Sequence, residues 1–270
     1  MAPSERSIRS LTSRTTKVRA AIAGVLVFVA SCAPVRLDVT PSAPIVLAVV
    51  TWNMHAGRGD LPRLVADLES GRVTGTSPAD FIVLLQEAGD DLPGLDRNLF
   101  SFFSPVRLDG RQRRGNAILS TLPLLSARAI ALPPRRQPRG AVAAEVDVKG
   151  YRLFVATAHL ENRVNWLRGG PMDEGARRLQ AEALLQALPA TGPGILGGDM
   201  NTWFGEREPA WRVLARRFHD TPATRARSTF RDRIALDHLF FDLPPGWHAS
   251  RRVLADAYGS DHHPVVGLIF

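Results

Sequence analysis

An α/β or α+β fold, rather than an all-β one, is what this sequence predicts, because strand-like and helix-like segments alternate along it. Short apolar runs recur at Ile45–Trp52, Phe81–Leu85 and Gly194–Leu196, each too short for a helix. Between them lie stretches with apolar residues three and four apart, as at Leu61, Leu64, Val65 and Leu68, the spacing of one helix face. Polar residues follow directly on the ends of the apolar runs, which is how buried strands deliver side chains to loops.

The 270 residues are enough for one large domain or two small ones. A hydrophobic content of 45% and a charged content of 22% are ordinary for a globular chain. The formal charge of +8 is almost all arginine, with lysine only at Lys17 and Lys149. Residues 1–31 resemble a signal peptide: Arg14, Lys17 and Arg19 precede the apolar run Ala20–Ala30. That run falls short of the roughly 20 residues a membrane-spanning helix needs. It ends in Val29-Ala30-Ser31-Cys32, which resembles the lipobox of bacterial lipoproteins, where the cysteine carries lipid. The alternatives are a plain signal peptide with an incidental cysteine, or an uncleaved anchor. Cys32 is the only cysteine, so no intrachain disulfide exists. Residues 1–31 hold five basic side chains and Glu5, so the charge without them is +4, too mild to argue for nucleic acid by itself. The expected organisation is a leader over 1–31, a Pro-containing tether over 32–43 and one domain over 44–270. The place expected is a bacterial envelope (periplasm or outer membrane, anchored through Cys32) or the exterior, as a monomer.

Taken in order, Ile45–Trp52 predicts a strand buried on both faces, ending at Asn53-Met54-His55. Leu61–Leu68 predicts a helix, and Phe81–Leu85 a second strand that delivers Gln86 and Glu87. Asp90–Arg114 reads as irregular, a helix and an exposed loop. Gly115–Ser120 predicts a third strand, and Pro133–Arg139 a basic connector or a rim facing phosphate. Gly140–Val148 and Tyr151–Ala158 form a predicted hairpin about Lys149-Gly150, delivering His159. Met172–Leu188 and Trp211–Phe218 predict helices. Asp237 falls inside the apolar run Ile234–Phe241, where a carboxylate needs a partner, and Val265–Phe270 closes the chain as a strand.

The stretch Gly194–Trp203 organises the rest. Its apolar run ends in Gly197-Gly198-Asp199-Met200-Asn201, and the paired glycines predict a close approach of substrate to the backbone. Asn53, Glu87, His159, Asp199, Asn201, Asp237, Asp261 and His262 all fall at or beside strand ends. Brought together, the oxygens of Asn53, Glu87 and Asp261 suit a hard divalent cation such as magnesium. No cysteine joins them, which argues against a thiolate zinc site. Trp166, Trp203, Phe204 and Trp211 flank these segments, as stacking surfaces or as core.

In this order Trp52-Asn53, Gln86-Glu87, Gly115–Ser120, His159-Leu160, Gly198-Asp199-x-Asn201, Asp237-His238 and Ser260-Asp261-His262-x-Pro264 resemble the endonuclease/exonuclease/phosphatase superfamily. The resemblance covers the chain from Ile45 onward. It implies a four-layer α/β/β/α sandwich, an α+β fold of two mostly antiparallel sheets with outer helices. It also implies hydrolysis of a phosphate ester by in-line water with Mg2+, or Mn2+ in its place. By that resemblance Glu87 holds the metal with Asn53 and Asp261, Asp199 activates water, and Asn201 holds that water and a phosphate oxygen. His262 bonds the phosphate or acts as base, Asp237 fixes its tautomer, and His159 meets the phosphate or the leaving group. The substrate expected is a phosphodiester, nucleic acid first; a sphingomyelinase-like or inositol-phosphatase-like enzyme of lipid headgroups is the alternative. Two departures bear on subtype: His55 stands where many abasic-site endonucleases have an acid, and His263 follows His262.

Overall fold

The computed structural model describes residues 44–92, 99–109, 111–135, 137–162, 174–222 and 228–270. The leader, Cys32, the tether and Trp166 lie outside the described residues. The elements are β1 (Leu47–Asn53), α1 (Leu61–Glu69), β2 (Phe81–Gly89), β3 (Phe100–Asp109), β4 (Gln112–Ser120), β5 (Leu125–Leu132), β6 (Arg139–Val148), β7 (Tyr151–His159), α2 (Glu174–Ala187), β8 (Gly194–Asp199), α3 (Pro209–Arg217), β9 (Asp237–Asp242), β10 (Ala249–Val253) and β11 (Val265–Ile269).

They form two sheets, ordered β10-β11-β1-β2-β4-β3 and β5-β6-β7-β8-β9. Each sheet is antiparallel except for one pair, β1 with β2 and β7 with β8. Those pairs are parallel because a helix lies between their strands in sequence, α1 in the first and α2 in the second. Alternating burial explains the layers. On β1, Ala48, Val50 and Trp52 face α1, where Leu61, Leu64 and Leu68 meet them. Leu47 and Val49 face the other way, into a core shared with Val155, Ile195 and Phe241 of the second sheet. Leu196 and Phe240 then cover the outer face of that sheet against Leu184 of α2 and Leu214 of α3. Three apolar layers separate four structural ones, the α/β/β/α sandwich of the α+β class. No helix among the described residues is long and apolar enough to cross a membrane.

The local signals act as expected at most boundaries. Asp60 accepts a hydrogen bond from the Arg63 backbone N–H at 3.1 Å, capping α1. Lys149 and Gly150 both take positive φ, 55° and 84°, as a two-residue hairpin turn requires. Elsewhere the structure corrects the sequence. The described part of Asp90–Arg114, expected to be a helix and an exposed loop, instead holds β3 and the start of β4 as a hairpin. Asp237 does not lie inside its strand but opens β9.

The paired glycines of β8 also serve a purpose other than the expected approach of substrate. A Cβ on Gly198 would stand 2.0 Å from the Ala158 carbonyl oxygen of β7, and one on Gly197 would stand 2.7 Å from Leu84 of the facing sheet. Their absence lets β8 sit close to its neighbours. Gly198→Ala is therefore expected to destabilise the domain by about 1–3 kcal/mol. Denaturant unfolding measures it, and an unchanged midpoint would mean that β7 yields freely.

Candidate active site

Strand register gathers the polar residues. His159 closes β7 and pairs with Asp199 at the end of β8, and Asp199 pairs with Asp237 at the start of β9. Three candidate side chains thus stand in one row across three strands. The facing sheet supplies Asn53 and Gln86 as a register pair at the ends of β1 and β2. These are carboxyl ends of parallel strands, the edge where mixed sheets bind ligands.

Glu87 reaches the row through a bulge. The β2–β4 register shifts between Leu85 and Ala88, and Glu87 takes φ 53°, a left-handed conformation that costs a non-glycine residue about 1–2 kcal/mol. Gln86 beside it is fully buried and donates from Nε2 to Thr51 Oγ1 at 3.0 Å and to Thr157 Oγ1 at 2.9 Å. That side chain stitches the two sheets together directly under the site. Asn201 is likewise left-handed at φ 50°, a conformation asparagine tolerates better than most. Its backbone N–H donates to Asp199 Oδ1 at 3.1 Å and its Nδ2 to the Leu160 carbonyl at 3.1 Å.

A second loop closes the site from the C-terminal end. Trp52 Nε1 donates to the His262 carbonyl at 3.0 Å, and Ser260 Oγ donates to the Asn53 carbonyl at 2.7 Å. Ser260 Oγ in turn accepts from the His262 N–H at 3.0 Å. Pinned in this way, His262 places Nδ1 2.7 Å from Asp237 Oδ2 and Nε2 3.9 Å from Asp199 Oδ2. His263 points away, its Nδ1 3.0 Å from the Leu254 carbonyl and its Nε2 3.1 Å from Asp232. The two adjacent histidines are thereby told apart.

Electrostatics divides the imidazoles. Burial works against a charge on His262, but Asp237 beside Nδ1, helped by Asp199 and Asp261, outweighs it and pushes the pKa up to about 10. His159 goes the other way: burial, then Arg139, His262 and Arg107, hold it well below the usual histidine range. Its ring lies between two carboxylates, Nδ1 3.9 Å from Glu87 Oε1 and Nε2 3.5 Å from Asp199 Oδ2. Being neutral, it forms an ion pair with neither. Asp199 is raised to about 7, by burial and then by the Asp237 carboxylate next to it. Hydrogen bonds from Asn53 Nδ2, at 2.9 Å, and from Asn201 only partly offset this.

Asp199, Asp237 and His262 offer ligand atoms that all lie within 4.8 Å of one another. Asp237 Oδ1 is buried without a hydrogen-bond partner, an acceptor a cation or a donor would satisfy. Glu87 is a fifth exposed, with Oε2 accepting from the Ala56 N–H at 2.9 Å and Arg107 at 3.5 Å. Asp261, expected beside it, turns its carboxylate to Arg231 at 3.1 Å and to His55 Nδ1 at 3.4 Å. Asn53, Glu87, His159, Asp199, Asn201, Asp237 and His262 thus gather into one cluster, and Asp261 stands beside it.

Two residues that the sequence named without assigning a role of their own are buried beside the site. Arg139 is 8% exposed although it ends a basic, proline-rich connector, and burial pulls its pKa below the usual arginine value despite Glu161, Asp199 and Glu87 nearby. His238, next to Asp237, is buried with Nε2 2.7 Å from Thr202 Oγ1. Burial, and then Arg251, lower its pKa from 6.5 to about 4. The unfolded chain therefore takes up this proton near pH 6.5 while the folded one resists it down to pH 4. Stability is expected to fall across that window by on the order of 3 kcal/mol from this group and to level off below it. His238→Gln should flatten the slope by about that amount in denaturant titrations at pH 7 and 4.5. Equal slopes in the two proteins would refute it. Of the flanking aromatics, Trp211 packs on Phe240 and Trp203 on Phe230, while Phe204 is 48% exposed.

Comparison with known proteins agrees with this architecture. No curated protein matches the sequence. Among solved structures, an endonuclease/exonuclease/phosphatase from Beutenbergia cavernae superposes with TM-score 0.61 at 20% identity, covering 83% of this chain and 71% of its own. The catalytic domain of human Nocturnin, with bound sulfate, gives 0.60 at 21% identity, covering 83% and 94%. TDP2 of D. rerio, complexed with a single-strand DNA product, gives 0.60 at 17% identity, covering 83% and 98%. At such identities the likeness establishes the fold. The model of the Endonuclease/Exonuclease/phosphatase family matches residues 50–262, most of the chain, and the protein therefore belongs to that family of phosphoesterases.

Proposed function

We propose that the protein is a divalent-metal-dependent phosphodiesterase acting on nucleic acid, tethered at the bacterial envelope through Cys32. The observation that carries it is the row His159, Asp199, Asp237 with His262 closing over it, beside the partly buried carboxylate of Glu87. The donor set fits magnesium: it offers oxygens of Glu87 and Asn53, each already accepting a backbone N–H, and the unpartnered Asp237 Oδ1, with Asp261 at the rim. Such a hard set suits Mg2+ or Mn2+ and lacks the thiolates of structural zinc. Glu87 with Asn53, and Asp261 in exchange for Arg231, would hold the ion. When bound, it would polarise the phosphate and neutralise charge that builds on it.

The chain's own groups supply the rest. Asp199, with a pKa of about 7, is poised to take a proton from the attacking water. The water oxygen bonds to phosphorus in line with the ester oxygen, whose P–O bond breaks, and the departing alkoxide is protonated from solvent. His262 remains protonated at neutral pH, which suits donation to a phosphate oxygen and leaves the base role to Asp199. Asp237 fixes that imidazolium through Nδ1. Asn201 holds the water by its backbone-anchored amide, and neutral His159 bonds the phosphate between Glu87 and Asp199.

The DNA product in the TDP2 neighbour supports a nucleic-acid substrate. The expected membrane tether supports the headgroup reading instead. Purified protein, assayed with magnesium against DNA, RNA, sphingomyelin and inositol phosphates, decides between them. Hydrolysis of none would end the proposal.

A further inference from the structure

Glu87 and His159 also line a small open pocket whose walls include Arg107, Arg114, Asn116 and Arg139. Arginines from three strands line it: Arg107 from β3, Arg114 from β4 and Arg139 from the first residue of β6. Burying a guanidinium is unfavourable unless an anion compensates it. Arg139 is buried, yet its Nε and Nη2 make no hydrogen bond, and its salt-bridge contact, Glu161 Oε1, is 4.0 Å away. Arg114 Nε is likewise buried without a partner. The space Arg114 occupies is kept clear by two glycines, since a Cβ on Gly57 or Gly89 would come within 2.2 or 2.8 Å of its Nη1. Arg107 lies 3.5 Å from Glu87, the one carboxylate lining the pocket. With Glu161 behind Arg139 counted beside Glu87, three cations face two carboxylates, and a positive charge is left over at a spot adjoining the row.

We propose that Arg107, Arg114 and Arg139 form a subsite for a second phosphate of the substrate, next to the one being hydrolysed. This rests on the phosphoesterase reading of the neighbouring carboxylates and narrows it to substrates with two phosphates on adjacent positions. Guanidinium forks suit phosphate oxygens in both geometry and charge. A choline headgroup would bring its quaternary cation against three arginines, so the subsite selects against sphingomyelin. Two sources share the required chemistry: the next phosphate along a nucleic-acid strand, and a second phosphate on a phosphorylated headgroup.

Matched substrates separate these sources. With magnesium, kcat/KM is measured on the dinucleoside monophosphate TpT against its 5′- and 3′-phosphorylated forms, and on glycerophosphoinositol with and without a ring phosphate. The added phosphate should raise kcat/KM by about tenfold or more in one of the two series, mainly through KM. Arg107→Gln and Arg114→Gln should each bring that ratio close to one, while Arg114→Lys restores part of it. Both positions are only partly buried, so the test does not depend on whether an Arg139 variant folds. In parallel, calorimetry of the wild type with pyrophosphate in chelator should show binding that Arg114→Gln weakens by about tenfold or more. Ratios near one in both series, or pyrophosphate binding indifferent to Arg107 and Arg114, would overturn the subsite even if hydrolysis is robust. Absence of hydrolysis on every ester would instead remove the phosphodiesterase reading, and the calorimetric arm would still decide the subsite.

Discussion

Asp199→Asn is expected to lower phosphoester kcat by about two to four orders of magnitude, the usual contribution of a positioned base, while the protein stays folded. The substitution keeps the shape of the side chain. Its remaining carbonyl oxygen can still accept the Asn201 N–H that now reaches Asp199 Oδ1. What it removes is a charge held at a disadvantage: burial and Asp237 raise the carboxyl from 3.8 to about 7. Between those values the folded state holds a proton that the unfolded chain releases, so the wild type loses stability from this group as pH rises through 7. The amide escapes that loss. It also gives up the attraction that helps keep His262 protonated, and the two changes oppose each other. The melting temperature is therefore expected to move by no more than about 5 °C, equivalent to about 1–2 kcal/mol in a domain of this size. Kinetics and thermal unfolding on one preparation test both halves. A variant retaining more than about a tenth of wild-type kcat would displace Asp199 from the attacking water.

Which parts of this site were legible in sequence follows from how strands are buried. β1, β2 and β8 are covered on both faces, so they read as continuous apolar runs and the polar residue that ends each one stands out. Edge strands carry no such signal. β3 and β10 close the first sheet at its two edges; Ser101, Ser104 and Pro105 interrupt one, and Arg251 and Arg252 fill the other. Pro105 is tolerated because it falls on an edge strand where the β3–β4 register shifts. The burial of Arg139, in a stretch read as a basic connector or a rim facing phosphate, was hidden for a related reason. Its segment has the composition of a solvated connector, yet pairing of Leu132 with Arg139 makes it the first rung of β6 and draws it inward. Register itself is invisible in one chain: that His159, Asp199 and Asp237 form a row depends on pairings between segments about 40 residues apart in sequence. The sharp turns at Glu87 and Asn201 are equally unreadable, because nothing in either residue demands a positive φ.

Arg177→Met is expected to destabilise the domain by about 3–5 kcal/mol, the usual result of stripping one partner from a buried ion pair. Against a total of about 5–15 kcal/mol that is a large share. Arg177 is fully buried on α2 and grips Glu208 with both arms of its fork, Nε to Oε2 at 2.8 Å and Nη2 to Oε1 at 2.9 Å. Glu208, the residue just before α3, also accepts from the Phe204 N–H at 3.3 Å. Arg177 Nη1 donates to the Glu161 carbonyl at 3.5 Å, and Gln180 Oε1 accepts from the Glu161 N–H at 2.7 Å. One helix therefore steadies the chain just beyond His159 and just beyond Asn201, the two sides of the catalytic row. The double variant Arg177→Met/Glu208→Leu removes both charges and should recover most of the lost stability, since apolar replacements of a buried pair are often neutral. Its kcat should stay below wild type by about tenfold, because the Phe204 amide and the Glu161 carbonyl lose their anchors and small misplacements are costly to rate. Denaturant unfolding and steady-state kinetics read the two effects separately. Full recovery of kcat along with stability would show that the pair holds the fold together and does nothing to aim the site.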